Sequence, residues 1–256
     1  MKRRRHSRIQ TGRDTVVKTA DPERMRVEVE KTRRALEIGR QSGLFRVPEV
    51  LDYDEKEGVV VLERIRGLRP VRNGLLARGR TALELAARSA RALAAIHRDL
   101  RLPEDMRVNL PPELAAPGAR VFLHGDFNGA NVCRSETEPG LVILDWQMTS
   151  RHGGRATCGT RFFDVVWFLN YLLWTPGWRH LVGDPVAPVA RVFLATYFHE
   201  TAAGDEAELG PYAQRFFEHK QARRRELATW WQRPWLPRCQ VITRRFLEGL
   251  VRKASA

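Results

Sequence analysis

The sequence predicts an α+β fold in two parts, a small β-rich N-terminal part and a larger helical part. Short runs of β-branched and alternating residues, separated by turn signals, occupy most of residues 6–65. From residue 81 onward, long stretches place apolar residues at helical spacing. Two apolar runs flank a polar loop at residues 121–146. We place the boundary after residue 66, which gives parts 1–66 and 67–256.

The N-terminal part contains two predicted hairpins with one helix between them. Residues 6–20 predict the first hairpin, with its second strand over Thr15–Thr19. Asp21 suits the cap of a helix that runs to about residue 40, where Gly43 supplies a stop. The second hairpin has its strands in 47–53 and 59–65.

The C-terminal part is predicted to be mainly helical. One helix covers Ala82–Arg98, with His97 packed at its end, and another opens at Arg161. Residues 150–160 are rich in Gly, Arg and Thr and predict a mobile loop. Three further helices are expected near 186–202, 209–231 and 236–252.

Charge is concentrated at the two ends of this chain. The net charge is +14; residues 1–18 carry seven Lys/Arg against one Asp, and residues 215–253 carry eleven against three Glu. The ends therefore carry +6 and +8, and the middle is neutral. No apolar run approaches the roughly 18 residues of a membrane span. The basic cluster Lys2–Arg5 lacks an apolar segment behind it, and three cysteines without metal-site spacing favour a reduced, cytoplasmic protein.

Three side chains in 121–146 carry groups that bind metals or move protons. Asn131 follows Asp126 by five residues, and Asp145 follows Asp126 by nineteen. Phosphoryl transfer needs one carboxylate that accepts the proton of the attacking hydroxyl. It also needs an amide oxygen and a second carboxylate that hold Mg²⁺ against nucleotide phosphates. Each residue alone is a common turn or strand-end residue, and their combination favours the catalytic interpretation.

The motifs His124-Gly125-Asp126, Asn131 and Leu144-Asp145-Trp146 resemble the catalytic centre of aminoglycoside phosphotransferase-like kinases. That family has an H-G-D-x-x-x-x-N loop and a metal-binding Asp commonly followed by Trp. The resemblance implies a two-lobed protein-kinase-like fold and transfer of the ATP γ-phosphoryl group to a hydroxyl. It implies that Asp126 is the base and that Asn131 and Asp145 hold Mg²⁺. His124 and Asp164 would brace the loop.

The resemblance also suggests how the nucleotide is held. Residues 16–20, Val-Val-Lys-Thr-Ala, resemble the kinase strand whose lysine reaches the phosphates, which makes Lys18 the candidate. We expect Glu30 to pair with Lys18, with Glu28 as the second choice; helical pairing with Arg34 is the alternative for Glu30. Glu63 to Ile65 would offer backbone groups to the adenine edge.

The N-terminus departs from the family pattern. The family normally has an additional strand and a glycine-rich loop before the lysine strand. Only seventeen residues precede Lys18, and Gly12 is the only glycine among them. Three alternatives remain open: the lid is absent, the basic residues Lys2–Arg5 supply its charge, or the true start lies upstream. If the lid is absent, a catalytically weak kinase-like scaffold is the rival to an enzyme.

The charge of the C-terminal region bears on the acceptor. A region of charge +8 does not complement a polycationic drug, so we expect an anionic acceptor or one embedded in an anionic surface. Candidates are a phosphorylated sugar, a lipid-linked glycan or a lipopolysaccharide-type core sugar. Arg223–Arg225 with Trp230, Trp231 and Trp235 also suit contact with the inner face of the membrane. A basic membrane-surface binding protein, or a solvated basic helix with core Trp, are the alternatives. No base-reading motif is present, so no nucleic-acid partner is expected.

Overall fold

The computed structural model describes residues 8–254 apart from eight gaps, and it does not describe the two ends of the chain. The gaps are 78, 117, 137–139, 150–153, 174–185, 203–205, 228–232 and 234–235, and the undescribed ends are 1–7 and 255–256. The strands of the described part are β1 Arg8–Thr11, β2 Thr15–Thr19, β3 Phe45–Arg46, β4 Val50–Asp54, β5 Val59–Glu63, β6 Leu68–Pro70, β7 Arg120–Phe122, β8 Val132–Ser135, β9 Leu141–Ile143 and β10 Cys158–Thr160. Its α-helices are α1 Pro22–Ser42, α2 Val71–Leu75, α3 Arg80–Asp99, α4 Phe162–Leu173, α5 Val186–Thr201, α6 Glu206–Leu227 and α7 Leu236–Ala254.

Both N-terminal hairpins form as predicted and join into one sheet. Its strand order is β1-β2-β5-β4, and each neighbouring pair is antiparallel. Lys18 lies in β2, opposite Ile9 on one side and Val60 on the other. Its side chain is buried, so the sheet carries this ammonium group inward rather than to an exposed edge.

Helix α1 is the predicted helix and covers the sheet. The Asp21 side chain accepts a hydrogen bond from the Arg24 N–H, Pro22 opens the first turn, and Gly43 closes the helix at φ +67°. Met25 and Val29 pack with Val60 in a small core under the sheet. Further along, Ala35 and Ile38 join the main core, so α1 connects the two cores.

A second sheet carries the hairpin of the polar-loop region. Its order is β3-β9-β8-β6, with β8 and β9 antiparallel. Strand β3, not predicted from sequence, runs parallel to β9, and this pairing ties the N-terminal part to the rest. Residues 137–139, between β8 and β9, lie outside the described residues. The boundary at residue 66 stays a prediction.

The prediction of a mobile loop over 150–160 is wrong for its last residues. Cys158–Thr160 form β10, which is antiparallel to β7. The backbone of Thr157 and Leu123 joins this pair at 2.8 Å, and the side chain of Thr157 is fully buried. Because β10 pairs with residues nearly forty positions earlier, the local sequence pattern could not predict its partner strand. Residues 150–153 of the predicted loop lie outside the described residues.

The remaining helices build the main core. Helix α3 packs along α5, and α6 packs against α4 and α7. Helix α6 starts at Glu206, before the predicted residue 209. Of the predicted membrane segment, Trp230, Trp231 and Trp235 lie outside the described residues. In the part of the chain that the structure describes, no helix combines the length and the apolar character needed to cross a bilayer.

Candidate active site

The loop that follows β7 presents Asp126. Gly125 adopts φ +92°, and a Cβ there would lie 3.0 Å from the Met148 Cα, so glycine suits both the turn and the space. The backbone N–H of Asp126 donates to Nδ1 of His124 at 3.1 Å. The His124 ring is completely buried against Phe127 and Trp146. Packing of the buried His124 ring therefore fixes the geometry of this loop.

Three N–H groups hold the Asp126 carboxylate. Oδ1 accepts from the indole Nε1 of Trp167 at 2.6 Å and from Nδ2 of Asn128 at 3.0 Å. Oδ2 accepts from Nδ2 of Asn131 at 2.9 Å. The amides of Asn128 and Asn131 also donate to the Asp126 carbonyl, which fixes backbone and side chain together.

Burial and hydrogen bonding act in opposite directions on Asp126. Burial raises the pKa of its carboxyl to about 6, while the N–H donors, Trp167 first, hold the pKa down. A carboxylate with a pKa near 6 is ionised at neutral pH and is a stronger proton acceptor than an exposed Asp. This combination suits a general base.

Asp164, on the first turn of α4, binds the backbone of the loop. Its Oδ2 accepts from the His124 N–H at 2.8 Å, and its Oδ1 accepts from the Gly125 N–H at 2.9 Å. His97 Nε2 lies 3.1 Å from Oδ2, and His97 Nδ1 lies 2.6 Å from the Tyr197 hydroxyl. These hydrogen bonds keep the pKa of Asp164 below its usual range despite full burial. Burial lowers the pKa of His124 to about 4, so His124 is neutral.

Lys18 connects the first sheet to the end of β9. Its Nζ lies 2.6 Å from Glu28 Oε1 and 2.7 Å from Asp145 Oδ1. The two carboxylates raise the pKa of Lys18, against the burial that lowers it. The ammonium therefore stays charged inside the site.

The predicted pairing of Lys18 with Glu30 is wrong, and the second choice, Glu28, is the partner. Glu30 instead pairs with Arg34 one helical turn later, Nε to Oε1 at 2.9 Å. Two residues correspond to about 200° around a helix, so Glu28 and Glu30 face opposite sides. Glu28 shares the buried face of α1 with Met25 and Thr32.

Asp145 and Asn131 are joined through the backbone at the end of the hairpin. The Leu144 N–H donates to the Asn131 carbonyl at 2.9 Å, just before Asp145. Asp145 adopts φ +57°, a left-handed conformation that Asp tolerates better than most residues and that is common at functional sites. Its side chain is 43% exposed, which leaves the carboxylate open to a ligand.

A magnesium ion fits this donor set. The described residues contain no group of three or more His, Cys, Asp or Glu placed to hold a metal. Mg²⁺ usually takes only one or two protein carboxylates and completes its shell with water and phosphate oxygens. One carboxylate, Asp145, and one amide oxygen, that of Asn131, match that habit.

Of the segment Glu63–Ile65, which was expected to offer backbone groups to the adenine edge, one such group has another partner. The Glu63 N–H donates to the Glu49 carbonyl at 2.9 Å, and the Glu63 carboxylate contacts Arg46. That N–H is therefore already engaged and does not serve an adenine edge. The role of Ile65, two residues beyond β5, stays a prediction.

Comparison with known proteins bears on this geometry. Residues 98–212 match the family described as "Phosphotransferase enzyme family". This segment is of the phosphotransferase family. It includes Asp126, Asn131, Asp145, Asp164 and Trp167. The predicted family and the predicted enzyme class, a phosphotransferase acting on an alcohol group, are confirmed. Comparison with curated proteins finds no match.

Solved structures share the fold over most of this chain. A choline/ethanolamine kinase family protein from Mesorhizobium loti is 16% identical with a TM-score of 0.56, covering 96% of this chain and 89% of that one. A glucosamine kinase is 19% identical with a TM-score of 0.60, covering 97% and 77%. WaaP in complex with acyl carrier protein is 16% identical with a TM-score of 0.51, covering 85% of each. The two-part α+β fold with kinase-like neighbours is thereby confirmed.

Four side chains of the candidate site were missed from sequence. Trp167 follows Asp164 by three residues, so a helix at this point puts both on one face, and this signal was available. Lys31 follows Glu28 by three and is fully buried, with Nζ 3.2 Å from the His124 carbonyl. For Asn128, the only signal in the sequence was its position in the loop between Asp126 and Asn131. Lys220, on α6, lies with Nζ 3.9 Å from the centre of the Trp167 ring, a long-range contact without a local signal.

Proposed function

We propose that this phosphotransferase moves the γ-phosphoryl group of Mg²⁺·ATP to a hydroxyl of a small-molecule or lipid-linked sugar acceptor. The observation that carries the proposal is the state of the Asp126 carboxylate, which is partly buried, held by three N–H donors and adjacent to Asn131. Asp164, which braces the loop, is also held by several hydrogen bonds but is fully buried, whereas Asp126 stays partly exposed and can meet an acceptor hydroxyl. A general base needs such positioning, worth about 10²–10⁴-fold in rate.

The proposed step uses this chain's residues as follows. Asp126 takes the proton of the acceptor hydroxyl as that oxygen bonds to the γ-phosphorus, and the bond from the γ-phosphorus to the β–γ bridging oxygen breaks to leave ADP. Trp167 and Asn128 hold Oδ1 of Asp126 in place during this transfer. His124 and Asp164 brace the loop below.

The nucleotide phosphates are assigned to the opposite side of the site. Asn131 and Asp145 would hold Mg²⁺, which neutralises charge on the phosphate oxygens when bound. Lys18, oriented by Glu28, would bind phosphate oxygens directly. The contact of Lys18 with Asp145 supports this assignment, because one ammonium then lies within reach of both the carboxylate and the phosphates it holds.

The acceptor is assigned by charge. Because residues 215–253 carry +8 and the middle of the chain is neutral, we propose an anionic acceptor or one set in an anionic surface, rather than a polycationic drug. One similar structure is named as a glucosamine kinase, which supports a sugar as the acceptor but does not support an anionic one. A cytoplasmic location with peripheral contact to anionic membrane belongs to the same proposal.

The test is thermal unfolding with and without Mg²⁺·ATP on wild type and Asp145→Ala. At about 100 times its dissociation constant a ligand adds about 2.7 kcal/mol to the free energy of unfolding, which raises the melting temperature by a few degrees. We expect this rise in wild type, its loss in Asp145→Ala, and its retention in the control Asp52→Ala, whose carboxylate is exposed on the first sheet. A screen of anionic sugars then follows. Equal rises in wild type and Asp145→Ala would refute the assigned metal site.

A binding-only scaffold is the second candidate. Among the described residues, β1 is the single strand that precedes the Lys18 strand in chain order, so no glycine-rich hairpin over the phosphates is seen there. Nucleotide binding with no turnover on any acceptor would favour this candidate. Any turnover that Asp126→Ala abolishes would exclude it.

A further inference from the structure

Arg72 lies beside the catalytic loop, on the short helix α2 that follows β6. Its backbone N–H donates to the Gly129 carbonyl at 2.9 Å, and Gly129 stands between Asp126 and Asn131 in the sequence. A Cβ on Gly129 would lie only 3.1 Å from the Arg72 Cβ, so the two residues are in close contact. The loop that presents the candidate base therefore also fixes the position of Arg72.

The Arg72 guanidinium lies over the ring of Tyr171, with Cζ 5.3 Å from the ring centre. Tyr171 follows Trp167 by four residues on α4, so the two rings share one face of this helix about one turn apart. The Trp167 indole donates to Asp126 Oδ1. One helical turn and one ring contact thus place the guanidinium roughly 10 Å from the Asp126 carboxylate. A single sugar ring with one charged substituent spans such a distance.

The guanidinium of Arg72 has no protein acceptor among the described residues, where its side chain makes the aromatic contact alone. The arginines that precede it differ, since Arg66 pairs with Asp14 at 2.8 Å and Arg69 pairs with Glu136. An aromatic contact leaves N–H donors at the edge of a guanidinium available, and these form two parallel hydrogen bonds to one carboxylate or phosphate. Arg72 is also partly exposed, so a ligand can reach it.

A second cation lies on the same face of α4. Lys220 Nζ lies 3.9 Å from the centre of the Trp167 ring, so the rings of Trp167 and Tyr171 each contact one cation. Lys220 is buried and therefore acts through its field rather than by contact with a ligand. Against these two positive charges stands the single carboxylate that Trp167 binds, that of Asp126. This balance attracts an anion and repels a polycation.

We propose that Arg72 determines acceptor specificity by binding an anionic substituent of the acceptor, a phosphate or a carboxylate, with Tyr171 as the support for its guanidinium. This assignment rests on the proposed function and deepens it, because it gives the preference for an anionic acceptor to one residue instead of to the overall charge. The reacting hydroxyl then lies at Asp126 and the anionic group lies at Arg72. Sugar phosphates and sugar acids carry both groups.

The binding test compares glucose 6-phosphate, glucuronate and glucose, each titrated by calorimetry into the full chain. Saturating Mg²⁺ and the non-hydrolysable β,γ-imido analogue of ATP are present, so that the anionic group of a probe does not occupy the nucleotide site. We expect both anionic sugars to bind wild type at least about tenfold tighter than glucose, because hydrogen bonds between charged groups are the strong ones. The tighter of the two anionic sugars then shows whether the site prefers phosphate or carboxylate.

Arg72→Met removes the guanidinium at similar length and should erase the preference for the anionic sugars while glucose binding stays unchanged. Arg80→Met is the matched control, since Arg80 is an exposed arginine at the start of α3, and it should keep the preference. Tyr171→Phe should also keep it because the ring remains, whereas Tyr171→Leu should weaken the anionic sugars about 2- to 5-fold.

Arg72→Lys covers the case in which Arg72→Met does not fold. Lysine keeps the charge but loses the two parallel hydrogen bonds, so the anionic sugars should bind at least about threefold more weakly. The proposal is overturned if wild type shows no preference for the anionic sugars. It is also overturned if the preference survives Arg72→Met, or survives Arg72→Lys in full where Arg72→Met does not fold.

Two further outcomes separate this assignment from the proposed function. Turnover of glucose and glucose 6-phosphate with equal kcat/KM, unchanged in Arg72→Met, would overturn the role of Arg72 and leave the proposed function standing. If the ATP analogue does not bind, the titrations are repeated without it. Binding of the anionic sugars that still depends on Arg72 would then refute the proposed function and leave the anion site standing.

Discussion

At the level of single residues, the protonation of Asp126 decides whether the site can work as a base. Because burial raises the pKa of this carboxyl to about 6, the carboxylate is lost as the pH falls through 6. We predict that kcat/KM falls about tenfold per pH unit below that value. Asp126→Asn should lower kcat by about 10²–10⁴-fold and remove this acid limb. The measurement is a pH–rate profile from pH 5 to 9.

The control for Asp126→Asn is Asp52→Asn, an exposed carboxylate on β4. It should keep the wild-type rate and the wild-type profile. If Asp126→Asn also kept the acid limb, a different group would be the titrating base.

Trp167 is predicted to tune this base through its indole N–H. The hydrogen bond of 2.6 Å to Asp126 Oδ1 stabilises the charged carboxylate, and the Lys220 ammonium on the indole face adds to the polarity of the N–H. A hydrogen bond to a charged group is worth about 1.5–3 kcal/mol, or about 1–2 pKa units. Trp167→Phe should therefore move the acid limb upward by about 1–2 pH units.

A pH–rate profile separates this role from simple packing. Loss of packing would lower the rate at every pH, whereas loss of the N–H should be largely overcome at pH 9. Trp146→Phe is the matched control, since the Trp146 indole donates to the Ile143 carbonyl rather than to Asp126. If the acid limb of the Trp167→Phe profile stays at the wild-type pH, Trp167 does not tune the pKa of Asp126.

At the level of elements, helix α1 supplies a matched pair of carboxylates. Glu28 binds Lys18 inside the protein, and Glu30 binds Arg34 on the surface. Glu28→Gln should lower kcat/KM for ATP by about 10–100-fold, because a charge-assisted hydrogen bond to the phosphate-binding lysine is weakened. Glu30→Gln loses a surface pair worth about 0.2–0.5 kcal/mol and should change the same constant less than threefold. Steady-state kinetics over ATP concentration measures both.

Equal effects of the two substitutions would mean that α1 acts on the site through its overall stability and not through the Lys18 contact. Urea unfolding of both variants provides the check, since a general loss of stability shows as a lower midpoint.

The elements found from sequence are those whose signals are local. The hairpins β1–β2 and β4–β5 and the helix α1 carry their turn and cap residues within themselves, as Asp21 and Gly43 show. The β3–β9 and β7–β10 pairings join residues about 40 to 100 positions apart and have no such signal. Helical spacing in the sequence favours Glu28 over Glu30, because Glu28 lies three residues after Met25 and four before Thr32, and all three share the buried face of α1.

The candidate site shows the same division. Asp126, Asn131 and Asp145 share one hairpin unit, so spacing along the chain was enough to group them. Trp167 on α4 reaches Asp126, and Lys220 on α6 reaches the Trp167 ring, so packing of these helices rather than a motif puts both residues there. Motifs thus identify the chemistry, and packing identifies the residues that adjust it.

At the level of the whole molecule, α1 lies where the parts meet. Its N-terminal half packs into the small core, and its C-terminal half packs into the main core. Its Glu28 holds Lys18 at 2.6 Å, and its Lys31 Nζ lies 3.2 Å from the His124 carbonyl. A small shift of this helix would therefore move Lys18 and the catalytic loop together.

The charged ends of the chain lead to the last prediction, binding to anionic membrane. Each basic residue near an anionic surface contributes about 1 kcal/mol at low salt. Vesicles that contain phosphatidylserine should therefore co-sediment the protein, and neutral vesicles should not. Replacing the four residues Lys2, Arg3, Arg4 and Arg5 by Gln should lower the partition coefficient at least about tenfold. Salt of 0.5 M should have a similar effect, because it shortens the screening length to about 4 Å.

A matched variant decides whether position or total charge matters. It replaces four exposed arginines of the neutral middle, Arg69, Arg80, Arg88 and Arg120, by Gln, which lowers the net charge by the same amount. If the basic ends dock on the membrane, this variant keeps most of the vesicle binding, because its charges lie away from the contact. Equal losses in the two variants would mean that net charge alone attracts the protein, and the membrane-facing assignment of the ends would be wrong.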